Sequence, residues 1–180
     1  LFNGRAKITS ENVYRINVGG ASYISPATGY LFEGDSYGIG GGSNFNNNEV
    51  ENTDESELYQ SHRLGNFEYQ FPVPDSGDYE IILHFAEPNQ QNRIFDIFVN
   101  NELVVNGLNI YSEANFNRAY TKSIIATAEN NTLIISFLGN GSNSLLSAIE
   151  IFHAIPENTT FTWSHDSNLN ASKAENLGEG

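Results

Sequence analysis

Strict alternation of apolar and polar residues marks two neighbouring segments of the chain as strands. Residues 67–71 alternate Phe, Tyr and Phe with Glu and Gln, and residues 79–85 repeat the pattern with Tyr, Ile, Leu and Phe. Between them, residues 72–77 contain two Pro, Asp and Gly, which are typical of turns. Because side chains point to opposite faces at every second position, this segment predicts a β-hairpin with one aromatic, buried face.

The same pattern predicts further short strands along the chain. They cover residues 13–18, 94–99, 102–105, 121–127, 133–138 and 146–152. Asn100-Asn101 and Asn130-Asn131 are turn candidates that join two more predicted hairpins. No segment predicts a helix of convincing length. Strands that alternate with turns at this spacing favour an all-β fold, a sandwich.

Residues 21–57 lack this periodicity. The segment is rich in Gly, Asn, Ser and acidic residues, including G-I-G-G-G at residues 38–42 and N-F-N-N-N at residues 44–48. The composition predicts a long stretch that is mostly loop. Long loops on a rigid sandwich are where binding sites usually lie.

The length of 180 residues fits one domain with one sizeable core. We expect residues 1–155 to form that domain, and residues 156–180 to be a C-terminal extension or linker in which residues 161–163 could add an edge strand. The chain contains no Met, so Leu1 is not a translation start and the sequence is expected to be a segment of a longer protein.

Charge restricts the partners. With 22 acidic and 8 basic residues the formal charge is −14, which repels nucleic acid and anionic membranes. No apolar run approaches the roughly 18 residues of a membrane-spanning helix, so no membrane insertion is expected. The absence of Cys excludes disulfides, thiol catalysis and Cys-ligated zinc.

Acidic residues cluster at residues 49–57 and again at Glu33 and Asp35. One interpretation is a solvated, charged loop. The other is calcium held by loop carboxylates and carbonyls, since Ca²⁺ prefers hard oxygen ligands; no EF-hand order is present, so calcium is a candidate cofactor without a defined site.

Catalytic motifs are missing. No Ser-His-Asp order, phosphate-binding Gly-rich loop or nucleophile elbow occurs, and the acids form no hydrolase strand motif. The four His have no common short spacing that suits zinc, and His84 is expected to be an ordinary exposed or half-satisfied side chain on the face opposite the core. We therefore predict that the chain is not an enzyme.

Five blocks in order carry a family resemblance. They are R-I-N-V-G-G at residues 15–20, L-Y-Q-S-H-R-L-G at 58–65, F-P-V-P with L-H-F-A-E between 71 and 87, R-I-F-D-I-F-V-N at 93–100 and S-A-I-E-I at 147–151. Together they resemble the malectin and malectin-like domains. The resemblance implies a jelly-roll-like β-sandwich of two antiparallel sheets with long loops at one end that bind an oligosaccharide, without catalysis.

The chain departs from the animal members of that family at two places. Where they carry an aromatic pair after L-H-F-A-E, this chain has Pro88, Asn89 and Gln90, and the acidic residue before their final strand aligns near Asn143. Both differences put side-chain amides where the animal members carry an aromatic pair or a carboxylate that contacts the sugar. A different glycan is therefore expected.

Sugars are bound by aromatic faces that cover the apolar side of the ring and by polar groups that hydrogen-bond the hydroxyls. Ten residues in the loops and family blocks are candidates on these grounds. They are Tyr23, Tyr30, Glu33, Asp35, Tyr37, Tyr59, Arg63, Asn89, Gln90 and Asn143. Two alternatives stay open: the loop aromatics could instead fill the mouth of the sandwich, and Arg63 could instead form a buried ion pair that ties loop to sheet.

These observations predict a non-catalytic carbohydrate-binding module of a larger secreted or cell-surface protein. The expected partners are an oligosaccharide or polysaccharide and the neighbouring domains of the parent protein. The acidity and the Asn-rich loops favour a bacterial adhesin or a modular glycan-processing enzyme as that parent. The alternative is a structural or protein-interaction β-sandwich that binds no glycan.

Overall fold

The computed structural model describes residues 11–139 and 143–154, which form twelve strands and two short helices. In chain order they are β1 (Glu11–Asn17), β2 (Tyr23–Ile24), β3 (Leu31–Gly34), β4 (Gly38–Phe45), α1 (Ser56–Gln60), β5 (Ser61–Pro72), β6 (Asp78–Phe85), β7 (Phe95–Val99), β8 (Glu102–Leu108), α2 (Ile110–Ala114), β9 (Tyr120–Thr127), β10 (Thr132–Gly139), β11 (Ser144–Leu146) and β12 (Ala148–His153).

Two largely antiparallel sheets build a β-sandwich, as the sequence predicted. The first sheet has the order β2, β3, β1, β12, β6, β9, and the second has the order β11, β5, β10, β7, β8, with β4 paired to β5. Among the pairs recorded between these strands, only β1 and β3 are parallel.

The aromatic face predicted for residues 67–85 lies in the core between the sheets. Tyr69, Phe71 and Tyr79 are fully buried, and Phe67 stacks on Phe137 with ring centroids 4.8 Å apart. This burial confirms the period-2 pattern, since each alternating apolar side chain leaves water and packs between the two sheets.

The predicted hairpins are only partly correct. Strands β7 and β8 pair as a hairpin, but β5 pairs with β10 in the second sheet while β6 pairs with β12 and β9 in the first. The turn at residues 73–77 therefore carries the chain across the sandwich. The connection from β9 to β10 does the same. Alternation fixes which face of a strand is buried, but it does not choose the strand's partner.

Residues 21–57 are mostly loop, as predicted, but the prediction missed the three strands β2, β3 and especially β4. Strand β4 contains four glycines, which strands disfavour, yet it pairs with β5 over most of its length. Gly40 and Gly41 adopt φ of +78° and +62° at the point where the register shifts, which makes a bulge that a residue with a side chain would resist.

The outer face of the first sheet carries a second, smaller apolar cluster. Residues of the 50–59 segment pack there onto side chains of the sheet; the cluster contains Phe32, Val50, Leu58, Tyr59, Ala86, Ala119 and Ala148. His84 lies on this face, as expected, but it is only 9% exposed. The expectation of an ordinary exposed or half-satisfied histidine was wrong, because the pattern of one strand does not show that a loop covers its outer face.

Residues 155–180 lie outside the described part of the chain, and with them the predicted extension and the edge strand at residues 161–163. Within the described residues, neither helix is long or apolar enough to cross a membrane.

Candidate functional site

Asp35 and Arg63 meet in a network that joins a loop of the first sheet to β5. Arg63 donates to Asp35 Oδ2 from Nη2 at 2.7 Å and from Nε at 3.2 Å, and the backbone N–H of Gly19 donates to the same oxygen at 2.8 Å. Tyr69 donates to Oδ1 at 2.8 Å. The two charged side chains are 12% and 5% exposed. The geometry is that of the buried ion pair considered from the sequence.

Two more candidate aromatics also have protein partners. Tyr37 packs between Tyr14 and Phe71, with ring centroids 5.2 and 5.1 Å away. Tyr23 donates a hydrogen bond to Glu55, and its ring lies 6.3 Å from that of Phe32. Both rings therefore contribute packing area to the sandwich.

A polar groove opens where β4 ends and β5 begins, and we call it the loop-end groove. Its volume is about 330 Å³, and its lining residues are Asn44, Phe45, Asn46, Asn47, Asn48, His62, Pro88 and Asn89. Phe45 is 65% exposed. Such exposure of a large aromatic ring beside a groove provides an open face for a ligand.

Most side-chain amides of this groove have free hydrogen-bonding groups. Asn44 Oδ1 accepts from the Phe45 backbone and Asn46 Oδ1 accepts from the Asn48 backbone. Within the described residues, no hydrogen bond engages the Nδ2 groups of these Asn residues or of Asn47 and Asn89. The groove therefore presents several donors that no other described residue uses.

A buried ion pair holds one wall of the groove in place. Arg93 Nε donates to Glu87 Oε2 at 2.6 Å, and these side chains are 5% and 0% exposed. Glu87 Oε1 accepts the backbone N–H of Asn89 at 3.1 Å, so the ion pair positions one wall of the groove. His62 is 2% exposed, and burial lowers its pKa below the ordinary value.

A second cavity lies on the outer face of the first sheet, under residues 25–30 and 53–59, and we call it the sheet-face pocket. Its volume is about 410 Å³. Two candidate residues from the sequence, Tyr30 and Tyr59, line it together with Arg15 and His84. The remaining lining residues are Ser25, Thr28, Phe32, Thr53, Glu55, Leu58, Glu150 and Phe152.

The comparisons with known proteins identify the family. Residues 12–158 match the malectin domain. The chain belongs to the malectin domain family. Human malectin is 32% identical over 78 residues, which are 41% of this chain and 27% of malectin. The kinesin-like protein KIN-14Q of Arabidopsis thaliana is 37% identical over 105 residues, which are 58% of this chain and 8% of that protein.

Solved structures show the same fold. A β-glucuronidase of Bacteroides uniformis matches with a TM-score of 0.71 and 25% identity, over 79% of this chain and 18% of the enzyme. The ANX2 ectodomain of Arabidopsis thaliana matches with a TM-score of 0.72 and 18% identity, over 81% of this chain and 50% of the ectodomain. The chain thus spans only a fraction of the proteins it matches.

Within this malectin domain the ten candidate residues do not all line one cavity. Tyr30 and Tyr59 meet in the sheet-face pocket, and Asn89 lies in the loop-end groove. Glu33, Gln90 and Asn143 are exposed and line neither cavity. Their roles stay predictions.

Sequence reasoning missed several lining residues of both cavities. Phe45 and the Asn44–Asn48 run were visible as an unusual Asn-rich segment, so composition could have found them. Arg15 and Glu150 are 135 positions apart, and no local pattern connects them. Only strand pairing between β1 and β12 places them side by side.

The acid-rich segment at residues 49–57 forms no carboxylate cage in the described part of the chain, where no group of three or more His, Asp or Glu side chains is placed to hold a metal. Glu55 instead accepts hydrogen bonds from the hydroxyls of Tyr23 and Ser25. The solvated-loop interpretation therefore fits Glu55 poorly, since its carboxylate ties the covering segment to β2; calcium stays a prediction.

Proposed function

We propose that this malectin domain is a non-catalytic carbohydrate-binding module and that its loop-end groove binds a glycan. One observation carries the proposal: a run of asparagines with unused amide donors stands beside the exposed ring of Phe45 and faces Asn89. Sugar rings need this combination, because they offer hydroxyls on their edges and apolar C–H groups on their faces.

The groove favours a neutral glycan. Its lining residues include no Asp, Glu, Lys or Arg, and the lowered pKa of His62 keeps that imidazole neutral at pH 7. The nearby Arg93 is already paired with Glu87. A uronic acid or sulfated sugar would therefore lack a cationic partner here and would meet the overall charge of −14.

The same lining argues against hydrolysis. Glycoside hydrolases use two carboxylates that flank the scissile bond, and the described residues that line the groove supply none. Binding by directed hydrogen bonds and aromatic contact needs no titrating group. The module therefore holds its glycan without cleaving it.

The parent protein is proposed to be secreted or displayed on a cell surface, with neighbouring domains beside this one. The ANX2 ectodomain and the bacterial β-glucuronidase, each of which is much longer than the matched region, support this view. The kinesin-like relative does not. The glucuronidase likeness favours a bacterial modular enzyme as the parent, and a bacterial adhesin is the other parent that we propose.

A glycan array probed with this chain tests the proposal, with Phe45→Ala as the site variant and Leu103→Ala as its control. Leu103 is also an exposed large apolar residue, at 52%, and lines neither cavity. We expect binding to neutral glycans that falls at least about tenfold in Phe45→Ala and is unchanged in Leu103→Ala. Binding to no glycan on the array would overturn the proposal and favour a structural or protein-interaction module.

We propose calcium as a bridge between loop oxygens and vicinal sugar hydroxyls. The described side chains do not form a calcium coordination shell by themselves, and the sugar hydroxyls would supply the remaining oxygen ligands. Repeating the array in EDTA tests this part separately. Loss of binding in EDTA, restored by added Ca²⁺, supports the bridge; unchanged binding removes calcium from the proposal and leaves the groove intact.

A further inference from the structure

Four polar side chains form a continuous chain of contacts along the floor of the sheet-face pocket. Tyr59 Oη lies 3.0 Å from His84 Nδ1, and His84 Nε2 lies 3.1 Å from Glu150 Oε1. Glu150 Oε2 accepts a hydrogen bond from Arg15 Nε at 2.9 Å. Each member is therefore oriented by its neighbour.

Arg15 completes only part of its hydrogen bonding within this chain. Its guanidinium carbon lies 4.0 Å from the centre of the Tyr30 ring and 5.6 Å from that of Phe152. Nε is used by Glu150, but within the described residues no acceptor engages Nη1 or Nη2. The two aromatic rings and Glu150 thus hold a planar pair of donors that is available to a ligand.

The walls of the pocket are mainly apolar, while its rim supplies acceptors. Phe32, Leu58 and Phe152 line it together with the rings of Tyr30 and Tyr59. Glu55 lies at the same pocket, and each of its carboxylate oxygens accepts one hydroxyl hydrogen bond and can accept another. A cavity of about 410 Å³ is large enough for a small ligand.

The charges exclude a strongly ionic ligand. Arg15, Glu55 and Glu150 sum to −1 with His84 neutral and to zero with His84 protonated. An anion would add to the negative charge of the chain, and Arg15 already occupies the position beside the aromatic rings where a cation would bind. A neutral molecule with hydroxyls on its edges and an apolar face fits these groups.

We propose that the sheet-face pocket is a second carbohydrate site, which takes one ring of a neutral glycan between Tyr30, Arg15 and Glu55. The ring's hydroxyl oxygens accept from the Nη atoms of Arg15, its hydroxyls donate to Glu55, and its apolar face meets the aromatic walls. The pocket and the loop-end groove share no lining residue, so the two sites are separate.

Two sites on one domain would change what the module can recognise. A long polysaccharide could occupy both, and the second contact would then form at high effective concentration, which raises avidity without any new contact in either site. The proposal goes beyond glycan binding at the loop-end groove and does not depend on it.

The test is a titration of the uniformly ¹⁵N-labelled chain with neutral trisaccharides of glucose, galactose and mannose, and with trigalacturonate as the charged counterpart. The Nε–Hε signal of Arg15, assigned by its loss in Arg15→Lys, reports on the pocket directly. We expect this signal to shift with at least one neutral trisaccharide at millimolar concentration and to stay in place with trigalacturonate.

Three variants separate the possible origins of a shift. Tyr30→Ala removes a half-exposed aromatic ring from the pocket wall, so the affinity measured by the Arg15 shift should fall about tenfold. Ile24→Ala alters an exposed side chain outside the pocket and should leave that affinity unchanged. Arg15→Lys retains the charge opposite Glu150 and loses the planar fork, so it should weaken binding at this pocket without unfolding the chain. Because this variant has no Nε–Hε signal, its binding is followed by the backbone amide signals of the pocket residues Tyr30 and Tyr59, which should shift less than in the native chain.

Phe45→Ala distinguishes the two proposals. An Arg15 shift that persists in Phe45→Ala supports the second site, even if the array signal is lost. Glycan binding that disappears in Phe45→Ala, with no Arg15 shift for any neutral trisaccharide, would overturn the second site and leave the loop-end groove as the binding site. A stronger Arg15 shift with trigalacturonate than with the neutral sugars would also overturn it.

Discussion

Arg63 Nη2 lies 2.7 Å from Asp35 Oδ2, although the two residues are 28 positions apart in the chain. Each had the properties of a sugar contact when considered alone. In the fold they satisfy each other, and Tyr69 and the Gly19 backbone complete the carboxylate's partners. The pair therefore ties the loop after β3 and the Gly19 turn to β5.

Breaking this pair should destabilise the domain. We expect Arg63→Met to lower the free energy of unfolding by about 3 kcal/mol, because it leaves the Asp35 carboxylate buried without its cation. Urea denaturation measures this. Glu33→Gln, which alters an exposed carboxylate two residues from Asp35, should change stability by less than about 0.5 kcal/mol. Lost glycan binding at unchanged stability in Arg63→Met would instead make Arg63 a ligand contact.

Two glycines with nearly the same positive φ should respond very differently to alanine. Gly19 and Gly29 have φ of +73° and +74°. A Cβ at Gly19 would overlap the backbone carbonyl of His62, whereas nothing lies within 4 Å of one at Gly29. We expect Gly29→Ala to cost about 1 kcal/mol from backbone strain, and Gly19→Ala to cost at least about 2 kcal/mol more. Equal losses in thermal unfolding would contradict the close approach at Gly19.

The Glu150 carboxyl should make stability depend on acid pH. Burial alone raises its pKa, but hydrogen bonds and charge from His84 and Arg15 outweigh burial and lower it below the ordinary value of 4.5. The unfolded state then binds the proton first as pH falls, so the stabilisation is complete above that value and is lost through the lower, folded pKa. Urea midpoints of the native chain and Glu150→Gln should diverge less as pH falls below about 4.5. A pH-independent difference would contradict this.

His62 should make the stability of the domain depend on pH in a higher range than Glu150 does. Its pKa lies below the ordinary value of 6.5 mainly because of burial, and Arg93 adds to the effect. Protonation therefore favours the unfolded state, so stability is full above about pH 6.5 and decreases as pH falls from there toward the folded pKa. NMR titration of the imidazole gives the folded pKa directly, and a value above 6.5 would contradict the prediction.

The contribution of His62 to the pH profile can be isolated with His62→Asn. This variant should lose the decrease in stability just below pH 6.5, because no proton is then taken up preferentially by the unfolded state. His153 provides a control outside both cavities: its ring stacks on Tyr79 at a centroid distance of 4.9 Å, and its Nε2 lies 3.3 Å from Asp75 Oδ1. His153→Asn should leave that part of the profile in place.

The candidate sites show how far sequence reasoning reaches. Tyr30 was a candidate because of the composition of its loop and Tyr59 because of its family block; both line the sheet-face pocket, and their role in binding stays a prediction. Two other lining residues, Arg15 and Glu150, were not candidates, because they come from the first and last described strands of the chain and only strand pairing brings them together. Side chains that looked free in the sequence, such as Asp35, proved to be engaged by residues remote from them.

The sequence by itself determined the fold class, the family and which face of most strands is buried, because alternation and turn residues act locally along the chain. It did not decide which strands pair: β5 and β6 are neighbours in sequence, yet they belong to opposite sheets. Only the tertiary structure decided the strand pairing. It also decided the position of the second, smaller apolar cluster on the face that carries His84 and the positions of the two cavities. Those features arise from contacts between distant segments, whose free energy depends on the whole packed sandwich rather than on any local pattern.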